Sequence, residues 1–187
     1  MTTVLDRPEA RRRDSRISVA EYHRTDEFNE HGRRTELIRG IVVEKISKSP
    51  LHASLAQNIY DLFSAFVRDG FVVRREDPLT LRDSEPEPDV AVVRGSRAQF
   101  FTAHPTTAEL VVEVAITSAA ADRESASMYA EAKVEEYWIV LGMQRQVEVY
   151  RRPENGQYQE KTIFGADDVI ACSSLPGVSI RVLDLFE

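Results

Sequence analysis

The spacing of apolar residues changes along the chain from a helical period to a strand period. In LHASLAQNIYDLFSAFVRDG, apolar side chains recur three or four residues apart, which predicts a helix ended by Gly70. Upstream, Ser18 is followed three residues later by Glu21, a pattern typical of a helix start. TELIRGIVVEKIS predicts two short strands that turn at Gly40. The apolar positions of the long helix are Leu51, Leu55, Ile59, Leu62, Phe63 and Phe66.

The second half of the chain is dominated by strand patterns. FVVRRE, DVAVVRG, ELVVEVAI, EEYWIVL, RQVEVYRRP and GQYQEKTIF each predict a strand, with a helix at AADRESASMYAEA and a hairpin turn at PENGQ. LPGVSIRVLDLFE closes the chain with a strand and a short helical end. The absence of repeats and linkers predicts one α/β domain over residues 17–187, with a mixed sheet and a crossing helix. Residues 1–16, polar and rich in arginine, are expected to form a mobile arm.

The composition is that of an ordinary soluble globular protein, with 42% hydrophobic and 29% charged residues in a chain of 187. No apolar run approaches the roughly 20 residues that a membrane helix needs, and the N-terminal segment lacks the apolar core of a secretory signal. The single cysteine, Cys172, cannot form an internal disulfide or a cysteine-based zinc site alone. We therefore expect a cytoplasmic protein without a membrane partner.

The net charge of −7 bears on nucleic-acid binding. An acidic surface repels phosphate, which counts against tight, passive binding of DNA. The net charge does not argue against an enzyme that gathers carboxylates around a cation, because the bound metal locally reverses the sign of their charge.

Three residues suggest such a site. Asp89 follows the alternating acids and prolines of SEPEPD and heads a strand, and Glu113 interrupts the apolar strand LVVEVA. A carboxylate among valines is costly unless it is paired or holds a cation. His52 lies at the start of the long helix. Two carboxylates from neighbouring strands, with water, make a suitable oxygen site for Mg²⁺, which could activate water against a phosphodiester.

Each of these residues also has a simpler interpretation. Asp89 could be a turn or strand-edge residue, and Glu113 could form a structural ion pair with an arginine such as Arg123. His52 could cap its helix or lie at the surface. Only their combination favours a metal site.

The motifs SEPEPDVAVVRG, LVVEVAITS, EEYWIVL and QVEVYRRP, with TELIRGIVVEKIS before them, resemble the Uma-two family over residues 17–187. This is a bacterial family of predicted endonucleases in the restriction-endonuclease-like, PD-(D/E)XK superfamily. The resemblance implies a restriction-endonuclease-like mixed β-sheet core flanked by helices, with additional antiparallel strands in the C-terminal half. It also implies metal-dependent nuclease chemistry, with Asp89 and Glu113 as metal ligands. Glu36 matches an acidic residue of the first strand, and His52 matches a helix histidine near the site.

The sequence departs from the superfamily motif at its lysine. Two positions after Glu113 stands Ala115, and the slot in the following helix to which the lysine moves in this family falls on Ser125 or Ala126. Arg123, nearest in sequence, or Lys45 could replace the missing cation. The metal alone could also activate water, or catalysis could have been lost.

Two functions follow. The first is a Mg²⁺- or Mn²⁺-dependent endonuclease acting on DNA through Asp89, Glu113, Glu36, His52 and Arg123. The second is a catalytically inactive nuclease-fold homodimer that binds nucleic acid or protein. An apolar face expected on the strands of the C-terminal half suggests a symmetric dimer in either case.

Overall fold

The computed structural model describes residues 15–26, 34–45 and 47–187. The chain divides into two compact units, one of Met1–Lys45 and Arg82–Glu85 and the other of Ile46–Leu81 and Pro86–Glu187. Nearly all of the predicted arm, residues 1–16, lies outside the described residues. The single domain over residues 17–187 stays a prediction.

The first unit contains one helix and one hairpin. Helix α1 spans Val19–Asp26, and strands β1 (Thr35–Ile38) and β2 (Ile41–Glu44) pair antiparallel. At the start of α1, the Ser18 amide and hydroxyl both donate to Glu21 Oε2, and the Glu21 amide donates back to Ser18 Oγ. The predicted capping box is therefore present.

The hairpin turn has positive φ at both central residues, 52° at Arg39 and 77° at Gly40. Such a turn matches the twist of the two strands it joins. The segment Arg82–Glu85 is tied to this hairpin, because the Glu85 amide donates to the Leu37 carbonyl at 2.7 Å and the Gly40 amide donates to the Asp83 carbonyl at 2.7 Å.

The second unit is built on a six-stranded mixed sheet. Its strands, in the order in which they lie in the sheet, are β3 (Phe71–Arg74), β4 (Val90–Arg94), β5 (Leu110–Ala115), β6 (Glu136–Leu141), β7 (Gln146–Glu154) and β8 (Gln157–Phe164). Neighbours pair antiparallel except β5 and β6, which are parallel and are connected by helix α3 (Ala119–Glu131). This architecture confirms the predicted fold class.

Helices cover both faces of this sheet. Helix α2 (Pro50–Phe66) buries Leu55, Ile59 and Phe63 against apolar side chains of β4, β5 and β6. Helix α3 packs on the other face, where the rings of Tyr129 and Tyr137 lie 4.9 Å apart. Burial of these apolar faces is the main force that holds the layers together.

The C-terminal segment adds the antiparallel strands β9 (Val169–Ala171) and β10 (Ser179–Arg181) and a 3₁₀ turn over Val182–Leu185. Strand β9 was not predicted from the sequence. Within the described ranges, no helix combines the length and apolar character needed to cross a membrane.

Candidate active site

The register of β4 and β5 places Asp89 opposite Glu113. Val90 pairs with Val112 in this antiparallel ladder, so the next pair outward is Asp89 and Glu113. The Asp89 amide donates to Glu113 Oε2 at 3.1 Å, and the Val114 amide donates to Asp89 Oδ2 at 2.7 Å. Each carboxylate therefore accepts a backbone hydrogen bond from the other's strand, and the two groups form one cluster.

The carboxyl group of Glu113 points into this cluster although the residue as a whole is only partly buried. The Tyr129 hydroxyl, from α3, donates to Glu113 Oε1 at 2.8 Å. Burial of the carboxyl group raises the pKa of Glu113 well above its ordinary value, and the nearby carboxylates of Asp89 and Asp122 raise it further. The pKa of Asp122 is itself raised, first by burial. Glu113 thus lies beside two other acids, with its charged form disfavoured.

Asp89 is buried, and a histidine and a lysine lie beside its carboxylate. His52 Nε2 lies 3.0 Å from Asp89 Oδ2, and Lys48 Nζ lies 2.5 Å from Asp89 Oδ1. Burial alone would raise the pKa of Asp89, but His52 and Lys48 outweigh it and hold the pKa below its ordinary value. Asp89 is therefore ionised at neutral pH.

Both partners of Asp89 come from the start of α2. Ser49 caps this helix in an extended conformation (φ −69°, ψ 158°), and its hydroxyl accepts a hydrogen bond from the His52 amide at 3.2 Å. Pro50 occupies the first helical turn, where a missing amide hydrogen costs nothing. The cap thus fixes the backbone between Lys48 and His52.

Sequence reasoning missed Lys48. Its ammonium also contacts Glu76 Oε1 at 3.0 Å, and the two carboxylates outweigh burial and raise the pKa of Lys48. The motif predicts the missing cation near Glu113 in sequence, whereas Lys48 lies far upstream and is brought in by the α2 cap. A lysine four residues before the candidate histidine was the available signal.

The structure does not bring Arg123 to the acid pair. Arg123 Nε and Nη2 donate to Glu148 on β7, with Nη2 2.6 Å from Glu148 Oε1. Glu36 and Lys45 belong to the first unit, where they pair with each other at 2.7 Å. Of the residues predicted for the site, the structure places Asp89, Glu113 and His52 together.

Asp89 and Glu113 are the side chains that could hold a hard divalent cation. Carboxylate oxygens are the ligands that Mg²⁺ prefers, and one or two carboxylates plus water are its usual protein set. A cation between the two carboxylates would favour the ionised form of Glu113, which burial and the neighbouring acids disfavour. Among the described residues, no group of three or more His, Cys, Asp or Glu side chains could hold a metal. The chain would therefore supply two carboxylates and leave the other positions to water.

The chain has the fold of a crystal structure described as "a putative nuclease", from Anabaena variabilis ATCC 29413, with a TM-score of 0.74 and 18% identity over 91% of this chain and 97% of that chain. No curated protein matches the sequence. The Uma2 family model, described as "Putative restriction endonuclease", matches residues 19–183, and the chain belongs to this family. The resemblance seen in the motifs is confirmed.

Proposed function

We propose that the chain is a metal-dependent endonuclease that hydrolyses phosphodiester bonds of DNA. The observation that carries this proposal is the pairing of Asp89 and Glu113 across the ladder of β4 and β5, with each carboxylate bound by the other's strand. Membership of a family of restriction-endonuclease type supports a nucleic acid as the substrate. The presence of two carboxylates at one point of the sheet supports a dependence on Mg²⁺ or Mn²⁺, because carboxylate oxygens are preferred ligands of such ions.

Asp89 and Glu113 would hold the metal, and the residues around them would hold these two in place. His52 contacts Asp89 Oδ2, and Tyr129 donates to Glu113 Oε1. Such hydrogen bonds fix the orientation of ligating carboxylates. A bound divalent ion supplies Lewis acidity that activates water and stabilises the leaving oxygen. A role for Glu36, in the first unit, stays a prediction.

The proposal is tested by cleavage of supercoiled plasmid with Mg²⁺, with Mn²⁺ and with chelator. Asp89→Asn is expected to abolish metal-dependent nicking, because it removes an ionised ligand. Asp167→Asn, at an exposed aspartate outside the cluster, serves as the matched control and should nick like the wild type. Nicking that persists unchanged in Asp89→Asn would identify a contaminating nuclease and overturn the assignment.

A second function is favoured by two observations. Asp89 is already neutralised by Lys48, and Ala115 stands where the superfamily motif has its lysine. A catalytically inactive nuclease-fold homodimer that binds nucleic acid or protein would keep this cluster as a structural ion pair. It predicts a wild-type chain that neither binds Mn²⁺ nor nicks DNA, yet elutes as a dimer in light-scattering chromatography. Elution as a monomer would contradict this second function.

A further inference from the structure

We infer that Lys48 is the cation that contacts the substrate phosphate at the Asp89–Glu113 site, an inference that rests on the proposed endonuclease function. Asp89 Oδ1 and Glu76 Oε1 lie 2.5 and 3.0 Å from Lys48 Nζ. A lysine ammonium carries three N–H donors, and these two carboxylates use two of them. The third is left for a phosphate oxygen.

The position of Lys48 suits this role. Its side chain is 22% exposed, so a bound phosphate can reach it from solvent. The residue immediately precedes Ser49, whose cap anchors the loop to α2. Glu76, which follows β3, contacts the same ammonium at 3.0 Å and so helps to hold it beside Asp89. The charge is thus placed before substrate arrives, which is how a fixed cation stabilises a transition state most effectively.

Three variants test this role. Lys48→Met keeps a side chain of similar length but removes the charge, and Lys48→Arg restores a cation. Lys133→Met, at an exposed lysine elsewhere, is the control. At saturating metal and substrate, we expect Lys48→Met to cleave about 100-fold or more slowly, Lys48→Arg to recover part of that loss, and Lys133→Met to match the wild type. Calorimetric Mn²⁺ affinity should stay unchanged or tighten in Lys48→Met, because the competing ammonium is gone.

Cleavage by Lys48→Met at the wild-type rate would overturn the role of Lys48 alone. So would a rate that falls only in parallel with Mn²⁺ affinity and melting temperature, since this would mark a purely structural lysine. A wild-type chain without metal-dependent cleavage would instead overturn the proposed function, and the role of Lys48 with it.

A groove along β3, the edge strand of the sheet, is lined by four arginines and two aspartates in a chain whose net charge is −7. These residues are Arg68, Arg74, Arg75, Arg97, Asp69 and Asp77. Two adjoining cavities of about 430 and 340 Å³ share Tyr60, Val72, Val73 and Arg97 in their walls. Arg68 and Arg75 add further guanidinium groups, and the Phe101 ring is 83% exposed at one end. The groove thus offers cations beside a free aromatic face.

We propose that this groove binds one strand of a nucleic acid, a second inference that also rests on the proposed function for its substrate class. Arginine forks match phosphate oxygens, and exposed aromatic rings stack bases without regard to sequence. The chain continues from the end of β3 through Arg75 to Glu76, whose carboxylate contacts Lys48. A backbone held on Arg68, Arg75 and Arg97 would therefore lead toward the candidate active site.

Binding of a fluorescent oligo(dT) in chelator, over a series of salt concentrations, tests the groove without cleavage. The double variant Arg68→Glu/Arg97→Glu should bind at least tenfold more weakly. The slope of log affinity against log salt concentration should become less steep by about 1.4, at roughly 0.7 per lost phosphate contact. Arg145→Glu, an exposed arginine on the β6–β7 turn, is the matched control. Phe101→Ala should weaken binding about tenfold.

An unchanged salt dependence in the double variant would overturn the groove assignment. Tighter binding to a duplex of the same sequence than to the single strand would overturn the assignment to one strand. Neither outcome depends on cleavage, so the binding measurement tests the groove even if the chain does not cleave DNA.

Discussion

Glu113 and Glu148 are the same residue type in opposite electrostatic surroundings. Glu113 faces the carboxylates of Asp89 and Asp122, and its pKa is raised, first by burial. Glu148 accepts hydrogen bonds from Arg123 and Tyr150 and pairs with Lys161 at 2.8 Å, and these partners outweigh burial and lower its pKa to about 2. The first arrangement costs stability, and the second contributes it.

Glutamine substitutions at the two positions should therefore have opposite effects at pH 8. Glu113→Gln should stabilise the fold by about 1 kcal/mol, because the uncharged amide can accept from the Asp89 backbone amide through its oxygen and donate to the Tyr129 hydroxyl oxygen through its NH2. Glu148→Gln should destabilise it by about 1–3 kcal/mol, because Arg123 and Lys161 lose a charged partner. Thermal unfolding of both variants beside the wild type gives the comparison.

The pH dependence of the two variants follows from the direction of each pKa shift. A raised folded pKa makes the charged form unfavourable, so the gain from Glu113→Gln should be absent near pH 4 and grow as pH rises toward that raised pKa. A lowered folded pKa acts in reverse. The contribution of Glu148 is present above its ordinary pKa of 4.5 and is lost as pH falls toward 2. A gain from Glu113→Gln that shrinks with rising pH would contradict this account.

At this scale the sequence could predict the acids but not their cations. Asp89 and Glu113 stand out because charge interrupts strand patterns, a local signal. The partner of an acid depends on which distant segment the fold brings to it. Proximity in sequence favoured Arg123, whereas the structure pairs Arg123 with Glu148 and brings Lys48 to Asp89.

The N-terminal cap of α2 is the element that delivers Lys48 and His52 together. The Ser49 hydroxyl accepts a hydrogen bond from the His52 amide, and the side chains of Lys48 and His52 both contact Asp89. Ser49→Ala should cost about 1 kcal/mol of stability and reduce cleavage several-fold by loosening both contacts. Ser54→Ala, at an exposed serine within the same helix, is the matched control. Equal cleavage by the two variants would show that the cap does not position the site.

Strand β6 is tied to the C-terminal segment through Glu136, which is fully buried. Arg151 Nε donates to Glu136 Oε1 at 3.0 Å, Trp138 Nε1 donates to Oε2 at 2.9 Å, and the Ser173 amide donates at 2.5 Å. Glu136→Ala should destabilise the chain by about 3–5 kcal/mol, because it leaves these donors and the partly buried Arg151 guanidinium without their acceptor. Urea unfolding beside exposed Glu135→Ala checks this, and equal losses would contradict it.

Elements with strong apolar periodicity were predictable, and short ones were not. The central strands β5 and β6 have long apolar runs that set them apart from any surface segment. Strand β9 is three residues long with one buried side chain, Ile170, and gives no periodicity to detect. Its conformation depends on pairing with β10, a contact that no local pattern encodes.

For the molecule as a whole, the fold class followed from the order of elements and from the family resemblance. The strand order and the register of β4 against β5 could not be predicted, although this register is what sets Asp89 opposite Glu113. A slip of one residue would turn one strand's side chains to the other face. The site therefore depends on the complete sheet.

The most direct test of the metal site is anomalous diffraction from crystals of the wild-type chain soaked in Mn²⁺. We predict a peak within about 2.5 Å of carboxylate oxygens of both Asp89 and Glu113, absent in Asp89→Asn crystals treated identically. Density that shows Lys48 alone against Asp89, with no peak beside Glu113 at saturating Mn²⁺, would contradict the account.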